Sequence, residues 1–133
     1  LKEQNLFADA IDCFNKAILL NPHYIDGYNN LAIILNENEM YNESIDVCLK
    51  LIKINPKFAL GHSMLAHVYD RKALFDDAEK HYKLSMKYNN DSPDIVNNYA
   101  NFLCQRKKHQ EAIDILEIGV DFVIEDTVLE NQF

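Results

Sequence analysis

Glycine and proline are scarce in this 133-residue sequence, which contains three of each. Their scarcity argues against an all-β protein, because such a protein needs many tight turns. Basic residues are also few: 13 Lys and Arg stand against 21 Asp and Glu, for a net charge of −8. This balance repels phosphate backbones, so we expect no nucleic-acid partner. No apolar run approaches the roughly 18 residues of a membrane span, so we expect none.

Motifs that carry chemistry are missing as well. The three cysteines, Cys13, Cys48 and Cys104, form no CxxC pair, which favours reduced thiols over a disulfide framework. There is no phosphate-binding glycine-rich loop, no GxSxG and no HExxH. His62 and His67 are five residues apart, so on a helix they point in different directions. The sequence therefore predicts no enzyme, no cofactor and no bound metal.

A period of 34 residues runs through the chain, as the recurrence of Asn21-Pro22 at Asn55-Pro56 shows. Three further columns keep their chemistry at this spacing. Small residues recur at Ala10, Ser44, Ala78 and Ala112 and at Ala32, Ala66 and Ala100, and large apolar residues at Leu1, Leu35, Tyr69 and Leu103. A repeat of this length is typical of stacked structural units that share one core.

Each repeat contains two helical patterns separated by a short polar segment. Tyr28, Leu31, Ala32 and Leu35 follow the spacing i, i+3, i+4, i+7 of an apolar helix face. Each unit is therefore a hairpin of a helix A and a helix B. The pattern predicts helices near 8–20, 24–37, 42–54, 58–71, 76–88, 93–106 and 110–121, and no strands.

These columns resemble the tetratricopeptide repeat family, whose unit is a 34-residue helix–turn–helix. The resemblance implies an all-α fold, a right-handed solenoid of antiparallel helix pairs. In its register, residues 1–24 form a partial unit, 25–58, 59–92 and 93–126 form full units, and 127–133 begin a further unit or a cap. The sequence departs from the family at the turn between the two helices, where the frequent Gly is replaced by Asn5, Glu39, Ala73 and Lys107. Terminal units in such arrays expose a face that a neighbour would cover, so self-association through them is compatible with the pattern.

The resemblance also implies a non-catalytic protein–protein interaction scaffold, with helices A lining a concave groove that binds an extended peptide or a partner helix. Inward-facing residues of helices A that the core does not use are the candidate contacts. In the three full units they are Asp26, Asn29, Asn30, Ile33, Asn36 and Glu37; Leu60, Ser63, Met64, His67, Asp70 and Arg71; and Asp94, Asn97, Asn98, Asn101 and Gln105.

The chemistry of this face predicts its ligand. Asn30 and Asn98 occupy matching places two units apart, and amide side chains can both donate to and accept from a peptide backbone. Asp26, Asp70 and Asp94 favour a protein or peptide that carries Lys or Arg. Family members that serve as chaperone adaptors clamp a carboxylate with basic residues on helices A. No basic residue stands at the matching places, so we expect no such clamp here.

Two alternatives follow from narrower resemblances. The Asn-rich face is similar to that of O-linked N-acetylglucosamine transferases, which suggests a docking or regulatory segment of a larger enzyme such as a glycosyltransferase. Residues 95–104 resemble the pilotin family of type IV pilus biogenesis, which suggests a pilus assembly protein. We expect a cytoplasmic location, or a periplasmic one under the pilotin alternative, and flanking sequence would discriminate between them.

Overall fold

Helices make up all the regular structure in the described part of the chain. The computed structural model describes the backbone of residues 2–118 and the side chains of residues 6–118. The helices are α1 (Lys2–Leu20), α2 (Ile25–Glu37), α3 (Tyr41–Ile54), α4 (Ala59–Arg71), α5 (Phe75–Tyr88) and α6 (Pro93–Gln105). Residues 109–118 are also helical and are called α7. The prediction of an all-α fold is confirmed. Residues 119–121 of the last predicted helix, the remainder of the unit to residue 126 and the segment 127–133 lie outside the described residues.

The helices pack in the order that the repeat predicts. α2 packs against α3 and α4 against α5, while α1 contacts α2, α3 contacts α4, and α6 contacts both α4 and α5. The two columns of small residues lie where these helices cross. Ser44, Ala66 and Ala78 are fully buried, and Ala100 and Ala112 are at most 3% exposed. Their small size allows the backbones to approach each other, which is why the register keeps them small.

The three described turns inside the hairpins share one backbone geometry. Glu39, Ala73 and Lys107 have φ values of 58°, 61° and 63°, in the left-handed region that favours glycine. Each turn also closes with the same pair of bonds: the Met40 amide donates to the Leu35 carbonyl at 2.9 Å, and the Glu39 amide to the Asn36 carbonyl at 3.1 Å. This pattern is a Schellman motif, which satisfies the last carbonyls of helix A. The repeat thus keeps its glycine turn at positions where this sequence has no glycine.

The start of α1 differs from the prediction. The repeat register predicts a helix from residue 8 and a turn near Asn5, but α1 is continuous from Lys2. Residues 2–7 contain Lys, Glu and Gln, which favour helix, and neither Gly nor Pro. Nothing in this segment therefore breaks the helix. The described helices include none that is long and apolar enough to cross a membrane.

Candidate interaction groove

The candidate contact residues lie on α2, α4 and α6, and most of them reach the surface. The exposed members are Asp26, Asn30, Ile33, Glu37, Leu60, His67, Arg71, Asp94, Asn97, Asn98, Asn101 and Gln105. Four more are half-buried: Asn29, Asn36, Met64 and Asp70. The repeat register therefore places a nearly continuous polar surface along one face of the three helices. We call this surface the groove.

Ser63 is the exception, since its side chain is only 2% exposed and is not available in the groove. Two residues earlier, Gly61 faces α3: a Cβ added to it would lie 3.4 Å from a Leu51 methyl carbon. Residues two apart on a helix point about 200° apart, so Ser63 faces the following unit. Asn97, one repeat later, is exposed because no described helix covers that side of α6.

A cleft of about 170 Å³ opens between α4 and α6. It brings together six of the candidate residues from two successive helices A. Those from α4 are His67, Asp70 and Arg71, and those from α6 are Asn98, Asn101 and Gln105. The sequence predicts both sets separately, and the fold places them on opposite walls of one cavity.

Two aromatic residues that were not candidates also line the cleft. Tyr82 from α5 and Phe102 from α6 are 2% and 3% exposed, and their ring centroids lie 5.1 Å apart. In the sequence, Tyr82 falls in a large apolar column of helix B, which indicates core and gives no sign of a site. The same residue fills the core and lines the cleft, because the cleft reaches down to the core between two units.

His67 is neutral at physiological pH. Burial against the cleft walls lowers the pKa of its imidazole; Asp70 opposes this shift and Arg71 adds to it. The Arg71 guanidinium is directed away, since its Nε donates a hydrogen bond to the Tyr41 hydroxyl at 3.4 Å. That bond is the main cause of the raised pKa of Arg71. The α4 wall thus carries a neutral imidazole, a carboxylate and a guanidinium held towards α3.

The part of the groove between α2 and α4 has a different character. Ile33 is 40% exposed, and the half-buried Met64 packs against the core cluster formed by Ala32, Cys48 and Leu65. These two side chains offer apolar contacts where the α4–α6 cleft offers polar ones. Asn36 is already engaged, because its Oδ1 accepts a hydrogen bond from the Ser44 hydroxyl at 2.6 Å.

Asn29 has a polar atom without a partner. Its Oδ1 is buried and accepts no hydrogen bond from the described residues. An unsatisfied buried acceptor costs about 1–3 kcal/mol. A donor from outside the chain, a ligand or a water, would recover that free energy.

Histidine and cysteine residues outside the groove have structural positions. His62 is 4% exposed and Cys48 is fully buried, as the repeat columns predict. Burial raises the pKa of the Cys48 thiol to about 11, which makes it unreactive. Among the described residues, no three His, Cys, Asp or Glu side chains are arranged to hold a metal ion.

Comparison with known proteins gives one match in sequence and several in structure. The tetratricopeptide repeat family model matches residues 13–46. No curated protein matches the chain in sequence. A crystal structure of MamA superposes with a TM-score of 0.78 and 17% identity, covering 95% of this chain and 74% of that chain. MamA from Desulfovibrio magneticus RS-1, from residue 41 to its end, gives 0.78 and 13%, covering 94% and 71%.

A structure from the functional characterization of Pseudomonas aeruginosa PilF also superposes, with a TM-score of 0.70 and 17% identity. This match covers 82% of the chain and spans half the length of PilF. At these identities, the structural similarities establish a shared fold. They do not extend to what the other proteins bind.

Proposed function

Because the chain is an array of tetratricopeptide repeats, we propose that it is a non-catalytic interaction scaffold that binds an extended peptide or a partner helix in its groove. The α4–α6 cleft is the observation that carries this proposal. Six groove residues from two consecutive units converge there, and all six have polar groups. Such a surface suits a ligand that runs across successive helices A, because each unit then supplies part of the contact.

The groove is chemically suited to a peptide backbone. The exposed amides of Asn98 and Asn101 can each donate and accept hydrogen bonds, as a peptide group requires. Ile33 and Met64 add apolar contacts for the ligand's side chains. Asp26 and Asp94 are exposed at the starts of α2 and α6, and their charges favour a ligand that carries Lys or Arg.

The test is affinity capture with the full-length protein that contains this chain. A variant with Asn98→Ala and Asn101→Ala should lose most of the captured partner, while its melting temperature stays close to that of the parent. The matched control is Asn15→Ala with Asn90→Ala, since these exposed amides lie on α1 and in the turn before α6. The control should retain the partner. The proposal is wrong if the groove variant retains it, or if changes at Lys50 and Lys83, on helices B, abolish capture instead.

A pilotin-like role is the second candidate. It is favoured by the resemblance of residues 95–104 to the pilotin family and by the similarity in fold to PilF. The observation that separates it from the first candidate is the sequence that precedes this chain in the full-length protein. A lipidation signal there would support it, and a catalytic domain on either side would support the docking segment of a larger enzyme.

A further inference from the structure

We infer that the α4–α6 cleft is a subsite for one cationic side chain of the partner, whose charge is neutralised by Asp70. This inference rests on the proposed function, since it names the part of the ligand that the groove recognises. At about 170 Å³, the cleft is smaller than the roughly 300–1,000 Å³ of pockets for drug-sized ligands. It fits a single side chain.

Asp70 has no charge partner of its own among residues 6–118. The described ion pairs and side-chain hydrogen bonds do not include its carboxylate, although it is half-buried. Its neighbour Arg71 is held by Tyr41. A half-buried carboxylate in a cleft gains most from a partner that supplies a positive charge and hydrogen-bond donors.

The preceding repeat shows why Asp70 is left without a partner. Asn36 stands at the same position one unit earlier, and there the Ser44 hydroxyl donates to it at 2.6 Å. Thirty-four residues after Ser44 the sequence has Ala78, which has no hydroxyl to donate. The unit that replaces the amide by a carboxylate therefore also removes the internal donor. Both changes leave the acceptor at position 70 available to a ligand.

The other walls of the cleft are compatible with a cation. His67 stays neutral there and does not repel it. The amide oxygens of Asn98, Asn101 and Gln105 can accept hydrogen bonds, and a lysine ammonium has three N–H groups to donate. Asp70 also raises the pKa of Tyr82, after burial as the main cause, which indicates that its charge acts on the floor of the cleft. The aromatic floor can contact the aliphatic part of a lysine side chain.

The experiment is an NMR titration of the ¹⁵N-labelled 133-residue chain with Nα-acetyl-lysine amide. Nα-acetyl-norleucine amide serves as the uncharged probe of similar shape. The lysine probe should shift the side-chain amide signals of Asn98, Asn101 and Gln105, and the norleucine probe should not. Equal shifts with both probes, or shifts confined to residues outside the cleft, would overturn the inference.

Variants separate this site from general attraction to an acidic protein. Asp70→Asn should weaken lysine binding about tenfold, as expected for the loss of a charge-assisted contact. Asp94→Asn removes the same charge from the groove outside the cleft and should have little effect. Ala78→Ser supplies the donor that Asn36 has, and should weaken binding while the melting temperature stays near that of the parent. The assignment is wrong if Asp94→Asn weakens binding as much as Asp70→Asn does.

The two proposals fail on different results. The scaffold function fails when the Asn98 and Asn101 variant still captures the partner. The cation subsite fails when Asp70→Asn leaves the lysine response unchanged, even if partner capture depends on the groove.

Discussion

The Nδ1 atoms of His62 and His81 lie 3.1 Å apart between α4 and α5, and their rings stack with centroids 5.4 Å apart. The bond on the other side of His62 fixes the direction of this contact. His62 Nε2 lies 2.8 Å from the Pro56 carbonyl oxygen, so Nε2 must carry the hydrogen and donate. In the neutral ring, Nδ1 is then an acceptor, and His81 donates to it from its own Nδ1.

The same connection exists in the preceding unit with a different residue. Tyr28, 34 residues before His62, donates from its hydroxyl to the Pro22 carbonyl at 3.0 Å. In both units a side chain of helix A thus ties down the Asn-Pro segment that ends the preceding helix B. His62 performs this role with Nε2 and keeps Nδ1 for His81. The histidine makes a second, pH-sensitive contact that the tyrosine does not.

Acid should therefore destabilise the fold through His81. Burial lowers the pKa of His81 from 6.5 to about 4; His62 and Lys80 add to this shift and Asp77 opposes it. Because the folded-state pKa lies below the unfolded one, the unfolded chain binds the proton more tightly between these values. The free energy of unfolding should be highest above pH 6.5 and fall as the pH drops towards 4. Urea denaturation at a series of pH values measures this.

Two variants check the assignment. His81→Asn keeps a side-chain donor for His62 but does not titrate, so its stability should depend less on pH in this range. His23→Asn alters an exposed histidine in the turn before α2 and should leave the pH dependence as it is. His67 acts in the same direction as His81, because its pKa is also lowered, so a residual slope is expected. Identical slopes in the His81 variant and the parent would contradict the prediction.

Ala73→Gly should stabilise the chain. Ala73 is exposed and has a φ of 61°, a conformation that costs a residue with a Cβ roughly 1–2 kcal/mol. Glycine removes this cost but loses more conformational freedom on folding, so the net gain should be about 0.5–1 kcal/mol. Thermal and urea denaturation measure it.

Ala8→Gly is the matched control for this substitution. Ala8 is exposed inside α1, where glycine should lower the free energy of unfolding by about 1 kcal/mol. The same substitution should therefore have opposite signs at the two sites. A loss of stability in both variants would show that the left-handed turn is not strained.

Ala66→Leu should destabilise the array by about 1–3 kcal/mol. Ala66 is fully buried in the cluster that contains Ala78, Tyr82 and Tyr99, so a larger side chain has no space. Ala8→Leu, at an exposed helix position, should change the stability by no more than about 0.5 kcal/mol. Equal melting temperatures for the Ala66 variant and the parent would mean that the small-residue column is not a helix crossing.

The period of the sequence predicts the parts of the fold that depend on one repeat at a time. The small residues at Ala66 and Ala100 predict the helix crossings, and the turn position predicts where Glu39, Ala73 and Lys107 lie, because these features recur every 34 residues. The burial of His62 and Cys48 follows from the same columns.

Features that depend on pairs of residues could not be predicted in this way. His81 lies outside the conserved-chemistry columns, so its contact with His62 required the packing of α4 on α5. The floor of the cleft combines Tyr82 with α6 residues that lie about half a repeat later in the chain. Ser63 belongs to the inward-facing positions by its spacing, but its place beside the following unit buries it. In each case, the geometry between helices decides the outcome.

Partner binding should weaken as the ionic strength rises. The groove carries acidic residues at Asp26, Asp70 and Asp94, two of them fully exposed, and salt screens such charges with a Debye length of about 10 Å at 0.1 M and about 3 Å at 1 M. Replacing Asp26 and Asp94 with Asn should lower the affinity at low salt and flatten its salt dependence. Glu43→Gln with Asp46→Asn removes two exposed charges from α3 instead, and should leave the slope unchanged because helices B face away from the groove. Titrations of the captured partner at several salt concentrations measure these slopes. An affinity that rises with salt, or a slope that only the α3 variant changes, would place the partner on a different surface.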